Sequence, residues 1–164
     1  MSAPTLNIAI FGASGRMGLQ LLQEAPGVAG LNVCAALVAP ESDHLGKPLG
    51  PGKLIASADF ALLDEADVVI DFSAPEACAQ LATQAAERGV AMVSGTTGLS
   101  SDQLQTLDDA STSIPILHAA NFSIGVNLLE HLVELASRGF GKDADIEIFE
   151  AHHRRKVEIG RAHV

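Results

Sequence analysis

Seven residues, GASGRMG at positions 12 to 18, constrain this chain more than any other feature. They stand between the apolar, β-branched run TLNIAIF (5 to 11) and a stretch that reads as helix over 15 to 25 and stops at Pro26-Gly27. Strand, glycine turn and helix, in that order, place glycines where a backbone must turn tightly and approach a ligand closely. The helix that follows offers unpaired N–H groups to an anion such as a pyrophosphate. The spacing is G-x-x-G-x-x-G, with Ser14 where the usual dinucleotide fingerprint has its second glycine. A glycine turn also serves as an ordinary strand-to-helix connection, and it is the flanking strand and helix that favour the dinucleotide reading.

The same alternation continues along the chain. LNVCAALV (31 to 38) is a continuous apolar run, as a parallel strand buried on both faces requires. A Gly/Pro-rich stretch over 40 to 53 reads as surface loop. ADVVIDF (66 to 72) is a further buried strand; Pro75 then opens a helix to about 88, which Gly89 ends. GVAMVSG (89 to 95) and IPILHAA (114 to 120) read as strands, with a helix between them capped by Ser100 or Ser101 and running to about 110. Strands alternating with helices predict an α/β fold, a Rossmann-like doubly wound parallel sheet. After Asn121 the pattern changes. A long helix over 123 to 139 carries Ile124, Leu128, Leu132 and Leu135 at helical spacing, and DADIEIFEAHH (143 to 153) alternates like a strand with one wet face. Residues 1 to 122 are therefore expected to form a dinucleotide-binding domain, and 123 to 157 only the start of a second, α+β domain.

Composition narrows the partners. Twenty acidic against ten basic residues give a formal charge of -10, which repels a nucleic-acid backbone unless the basic residues are gathered. They are gathered at the end: residues 152 to 164 hold Arg154, Arg155, Lys156 and Arg161 together with His152, His153 and His163. So compact a cluster suits a small anion better than a nucleic acid. There is no Trp or Tyr to stack on bases or sugars. Cys34 and Cys78 form no C-x-x-C and read as two buried thiols. With no basic leader and no apolar run of membrane-spanning length, a reducing, cytoplasmic location is expected and no membrane partner.

The acid that usually holds a ribose belongs about 20 residues beyond the glycine turn. Here that position is Val38, followed by Ala39, Pro40 and Glu41. The missing acid leans the reading towards NADPH over NADH, with Arg16 able to meet a 2′-phosphate or the pyrophosphate; Glu41 or Asp43 could still reach a ribose. GTTG (95 to 98) and AANFS (119 to 123) each follow a strand, so Gly95, Thr96, Thr97 and Asn121 are candidates to frame a nicotinamide. In DFSAP (71 to 75), Asp71 could do no more than satisfy backbone N–H groups. In EAHHRRK (150 to 156), neighbouring His152 and His153 point to opposite faces of a strand and cannot share one metal, so no metal site is expected. Imidazole there can relay a proton while Lys156 and the arginines attract carboxylates; a solvated basic run is the plain alternative. His44, His118 and His131 read as structural.

In this order GASGRMG, DFSAP, GTTG, AANFSIGVN and EAHHRRK resemble the 4-hydroxy-tetrahydrodipicolinate reductase family, long called dihydrodipicolinate reductase, over residues 5 to 157. The resemblance implies hydride transfer from NADPH or NADH to a small cyclic dicarboxylate of the diaminopimelate route to lysine. It also implies a homotetramer for full-length members. By the same resemblance Gly12, Ala13, Ser14, Gly15, Arg16 and Met17 hold the pyrophosphate. Gly95, Thr96 and Thr97, with Ala119, Ala120, Asn121 and Phe122, frame the nicotinamide. His152 and Lys156 are the proton-handling catalytic residues, and His153 contacts a substrate carboxylate. Members of the family continue past Lys156-Val157 with a glycine-containing segment that grips the substrate, whereas this chain reads EIGRAHV over 158 to 164, which looks like a non-native tail. Such a chain is expected to be a C-terminally truncated member that binds NAD(P) without catalysis. An unrelated Rossmann dehydrogenase or a redox-sensing interaction protein has no reason to carry EAHHRRK.

Overall fold

The computed structural model describes residues 5–143, 145–147 and 149. Two compact units divide the chain, residues 1–122 and 123–164.

The first unit is a seven-stranded sheet built from β1 (Leu6–Phe11), β2 (Leu31–Leu37), β3 (Pro48–Leu49), β4 (Leu54–Ser57), β5 (Val68–Asp71), β6 (Ala91–Ser94) and β7 (Ile116–His118). Helices α1 (Arg16–Glu24), α2 (Pro75–Arg88) and α3 (Ser101–Ser111) connect them. The order across the sheet is β3-β4-β2-β1-β5-β6-β7, with every pair parallel except β3 with β4. The strands are short and apolar because both faces are covered. Along β1, Ala9 and Phe11 join one core with Leu81, Ala82 and Ala85 of α2 and Leu107 of α3. Ile8 and Ile10 join the other core, with Leu22 of α1. Alternate residues thus feed two separate hydrophobic layers, which is why no polar residue interrupts β1 after Asn7.

Local chemistry sets the helix boundaries. Pro75 sits at the first position of α2, and Gly89 ends it at φ 69°, a left-handed conformation that costs glycine little. Ser100 caps α3 through a full capping box with Gln103. In contrast α1 has Gly15 at its N-cap, with no side-chain cap and no acid in its first turn, so no side chain of that turn neutralises the positive end of the helix.

Three local expectations need correction. The stretch 40 to 53 is not all loop: it contains β3, and the unexpected β4 follows. Both strands are too short for a two-residue period to register, and pairing with β2 and with each other defines them. Cys34 is only half-buried, because the β1–β2 register skips it between Ile8↔Val33 and Ala9↔Ala35; its thiol donates to the Ile8 carbonyl at 3.3 Å. In the second unit α4 (Ile124–Phe140) is capped by Ser123, with Ile124, Leu128, Leu132 and Leu135 all exposed. The residues beyond it that are described, 145–147 and 149, belong to no strand, and Gly141–Asp143 forms a 3-10 turn. Alternation alone does not make a strand without a partner to complete the ladder. The rest of the expected strand at 143 to 153 lies outside the described residues.

Candidate dinucleotide site

Chain direction reverses its progress across the sheet at β1: β2 and β4 lie on one side, β5, β6 and β7 on the other. The crevice beyond the carboxyl ends of β1 and β5 is therefore the topological switch point where such sheets bind ligands. Register brings the motifs to that edge. Phe11 pairs with Leu37 and with Asp71, Asp71 with Ser94, and Ser94 with His118. GASGRMG, DFSAP, GTTG and AANFS consequently leave the sheet side by side.

The glycine turn is built for close backbone approach. Gly12 has φ 76°, and a Cβ there would lie 2.4 Å from the Phe72 carbonyl oxygen; a Cβ on Gly18 would lie 2.3 Å from the Gly12 carbonyl oxygen. The first glycine thus permits the turn against the β5 loop and the third lets α1 pack onto the turn, the two roles such glycines serve in nucleotide cradles. Gly15, Arg16 and Met17 are exposed at the uncapped start of α1, and among the described residues Arg16 has no ion pair. Ala13 is fully buried, with its N–H bonded to the Leu37 carbonyl, so it anchors the turn to β2. These features fit an anionic diphosphate held by main-chain N–H groups.

The neighbouring wall is held by a buried polar knot. Asp71, Ser94 and Thr96 are all buried. The Asp71 carboxyl accepts from Ser94 Oγ at 2.7 Å, from Thr96 Oγ1 at 2.8 Å and from the Ser73 N–H at 3.0 Å. Thr96 also accepts from the Ser73 N–H at 3.0 Å and donates its own N–H to Ser94 Oγ at 3.2 Å. Its carbonyl is 2.8 Å from His118 Nε2, which must be the donor there, since a carbonyl only accepts. Asp71 therefore does more than satisfy backbone N–H groups, and the structural role expected of His118 is visible as this contact. The Thr96 hydroxyl, expected to face a nicotinamide, is committed to Asp71.

Phe72 closes this wall. A Cβ on Gly95 would lie 2.2 Å from the Phe72 ring, so that glycine is required by the ring's seat. The Phe72 and Phe122 rings meet edge to face at 6.3 Å. The sequence alone does not single out Phe72 and Ser94; only their places at the carboxyl ends of the expected strands 66 to 72 and 89 to 95 could have marked them. Thr97, Ala119, Ala120 and Asn121 lie on the same carboxyl edge, as the register above requires. Glu41 and Asp43 follow the end of β2 in an exposed or half-exposed turn, again on this side of the sheet. His152, His153 and Lys156 lie outside the described residues. Among the described residues, no group of three or more His, Cys, Asp or Glu is placed to hold a metal ion, and no helix is long and apolar enough to cross a membrane.

Cys78 sits beneath the knot, its sulfur 3.3 Å from Ser94 Oγ. The single Ser94 hydroxyl proton goes to Asp71, so the thiol is the donor in this pair. Burial pushes the thiol up to about 12 from 9.0. An unfolded chain releases this proton near 9.0 while the folded chain keeps it, so the thiol's contribution to stability is complete below pH 9.0 and is lost as pH rises towards 12. Denaturation midpoints measured from pH 8 to pH 10 should accordingly fall more steeply for the native chain than for Cys78→Ala; parallel slopes would contradict this.

A glycine turn at the switch point of a doubly wound sheet, walled by loops from the next two strands, defines a Rossmann-type domain. The chain belongs to the family described as dihydrodipicolinate reductase, N-terminus, whose model matches residues 6–122. It is 46% identical over 158 residues to 4-hydroxy-tetrahydrodipicolinate reductase of Acinetobacter baumannii, covering 92% of this chain and 58% of that protein. It is 44% identical over 161 residues to the protein of the same name from Alkalilimnicola ehrlichii, covering 94% of this chain and 60% of that one. The chain thus spans about three-fifths of the length of these curated relatives. Among solved structures, dipicolinate-bound dihydrodipicolinate reductase from Paenisporosarcina sp. TG-14 superposes with a TM-score of 0.69 at 22% identity. That match covers 81% of this chain and 54% of the other.

Proposed function

We propose that this chain carries the dinucleotide-binding half of a reductase that transfers hydride from NADPH or NADH to 4-hydroxy-tetrahydrodipicolinate. The observation that carries this reading is the glycine turn, where side chains at Gly12 and Gly18 would collide with backbone, set against the uncapped N-terminus of α1. The nicotinamide supplies the hydride when bound. The chain's own residues do the rest. The Gly15 N–H closes the turn onto the Gly12 carbonyl at 2.9 Å, and the main-chain N–H groups of Arg16 and Met17 hold the pyrophosphate, with Arg16 adding charge. Gly95, Thr97 and the loop 119 to 122 frame the ring, and the Phe72–Phe122 wall excludes water from one side of it. Beyond the described residues, His152 and Lys156 are assigned the protonation of the substrate, and His153 a contact to one of its carboxylates.

Titration of the chain with NADPH and NADH, followed by nicotinamide fluorescence, tests the binding half of this reading. Arg16→Ala should weaken NADPH by roughly tenfold, as loss of a charged hydrogen bond to phosphate implies. A smaller loss for NADH places Arg16 at the 2′-phosphate and an equal loss places it at the pyrophosphate; no loss for either removes it from the site. Failure of the native chain to bind either nucleotide would overturn the proposal.

A further inference from the structure

We propose that Asp71 is a positioning residue for the nicotinamide end of the cofactor: through Ser94, Thr96 and Ser73 it locks the loop after β5 to the loop after β6. The inference rests on the dinucleotide reading above and goes beyond it, to a residue buried behind the site that touches no ligand.

The ladder itself does not need this carboxyl. Backbone bonds already extend the sheet at its edge, from Phe72 N–H to the Phe11 carbonyl and from Gly95 N–H to the Asp71 carbonyl. The side-chain knot acts beyond the last of them, on residues 72–73 and 95–97, where no strand pairing holds the chain. It does so with every donor accounted for. Ser94 and Thr96 each give their one hydroxyl proton to Asp71, and the Ser73 N–H is shared between Asp71 and Thr96. All polar groups of Thr96 are then occupied: the hydroxyl by Asp71 and Ser73, the N–H by Ser94, the carbonyl by His118. With the Thr96 carbonyl pinned, the peptide plane leading to Thr97 is fixed, and so is the face that residue turns to the crevice. On the other loop, Ser73 is held immediately after Phe72, whose ring lies where a Gly95 side chain would be. A buried carboxyl with three donors is costly to place and cooperative once satisfied, so it specifies one arrangement of both loops.

Asp71→Asn tests this with little change of shape. The amide nitrogen would face two hydroxyls that now donate to that position. Ser94 can turn its proton to Cys78, but Thr96 Oγ1 already receives the Ser73 N–H, and its own proton loses its acceptor. The lock should therefore release on the Thr96 side. The probes are NADPH, read by nicotinamide fluorescence, and ADP-ribose, which has the same diphosphate but no nicotinamide. Asp71→Asn is expected to weaken NADPH by roughly tenfold, as for one lost buried hydrogen bond, with the bound-state fluorescence moving towards that of free nucleotide. ADP-ribose should change by less than about twofold, because the glycine turn is untouched. Equal weakening of both probes, or no weakening of either, would overturn the proposal. If thermal melting shows Asp71→Asn unfolded, Thr96→Val removes the same hydroxyl isosterically and should give the same split, while Thr96→Ser should retain the native ratio. A Thr96→Ser variant that behaves like Thr96→Val would show that the hydroxyl alone does not maintain the site, and would overturn the lock. A native chain that binds neither probe would bring down the dinucleotide reading itself, and the lock's role with it.

Discussion

Replacement of Gly18 by alanine is expected to lower the stability of the first unit by about 3 kcal/mol and its Tm by roughly 10 °C. The added Cβ would lie 2.3 Å from the Gly12 carbonyl oxygen and 2.6 Å from the Ala13 Cα. Both neighbours are backbone, so no change of rotamer relieves the contact; either α1 lifts from the turn or the turn itself deforms. Ala13 cannot yield easily, being fully buried and bonded to β2. Because the same turn is the proposed seat of the pyrophosphate, dinucleotide affinity should fall together with stability. Gly27→Ala is the matching control: a Cβ there meets nothing within 4 Å, and its effect should stay within about 0.5 kcal/mol. Paired thermal melts of the two variants check the prediction, and equal melting temperatures would refute it.

The second large effect concerns proton handling. In an active, extended form of this chain, His152→Gln and Lys156→Ala should each lower kcat by about 10²- to 10⁴-fold, the range that a positioned general acid or base contributes. The affinity for nucleotide should stay nearly unchanged, because neither residue belongs to the glycine turn or to the loops after β5 and β6. The split between rate and cofactor affinity separates catalysis from folding damage. Steady-state rates together with nucleotide titrations on the same preparations provide it. Rates within a few-fold of the parent would remove both residues from the assigned roles. Loss of nucleotide binding in parallel with rate would instead make them part of the cofactor site.

Much of the first unit was legible in the sequence because its signals are local. A β-branched run ending at Gly12, Pro75 at a helix start, Gly89 at a helix end and a capping serine at 100 or 101 each act through chemistry within one turn of the chain. What escaped is non-local. Strand β4 has four residues and is defined by its neighbours. The Asp71 knot joins residues 23 and 25 positions apart. DFSAP and GTTG were each visible as loop motifs, but that Asp71 turns inward onto Ser94 and Thr96 follows from the parallel register of β5 with β6, which no spacing rule supplies. The Thr96 side chain illustrates the consequence: a threonine in a ligand-facing loop reads as a ligand contact, yet a buried acceptor nearby captures its hydroxyl. In the second unit, the alternation after α4 carried a strand signal, yet among the described residues 145–147 and 149 belong to no strand.

Amide chemical shifts of the 15N-labelled chain, followed during titration with NADPH, test the central claim most directly. The largest changes are expected at Gly12, Ala13, Gly15, Arg16 and Met17, with a second group at Gly95, Thr97 and the loop 119 to 122. Saturating nucleotide that leaves the glycine-turn amides unmoved, or that moves only residues away from the carboxyl edge of the sheet, would contradict it.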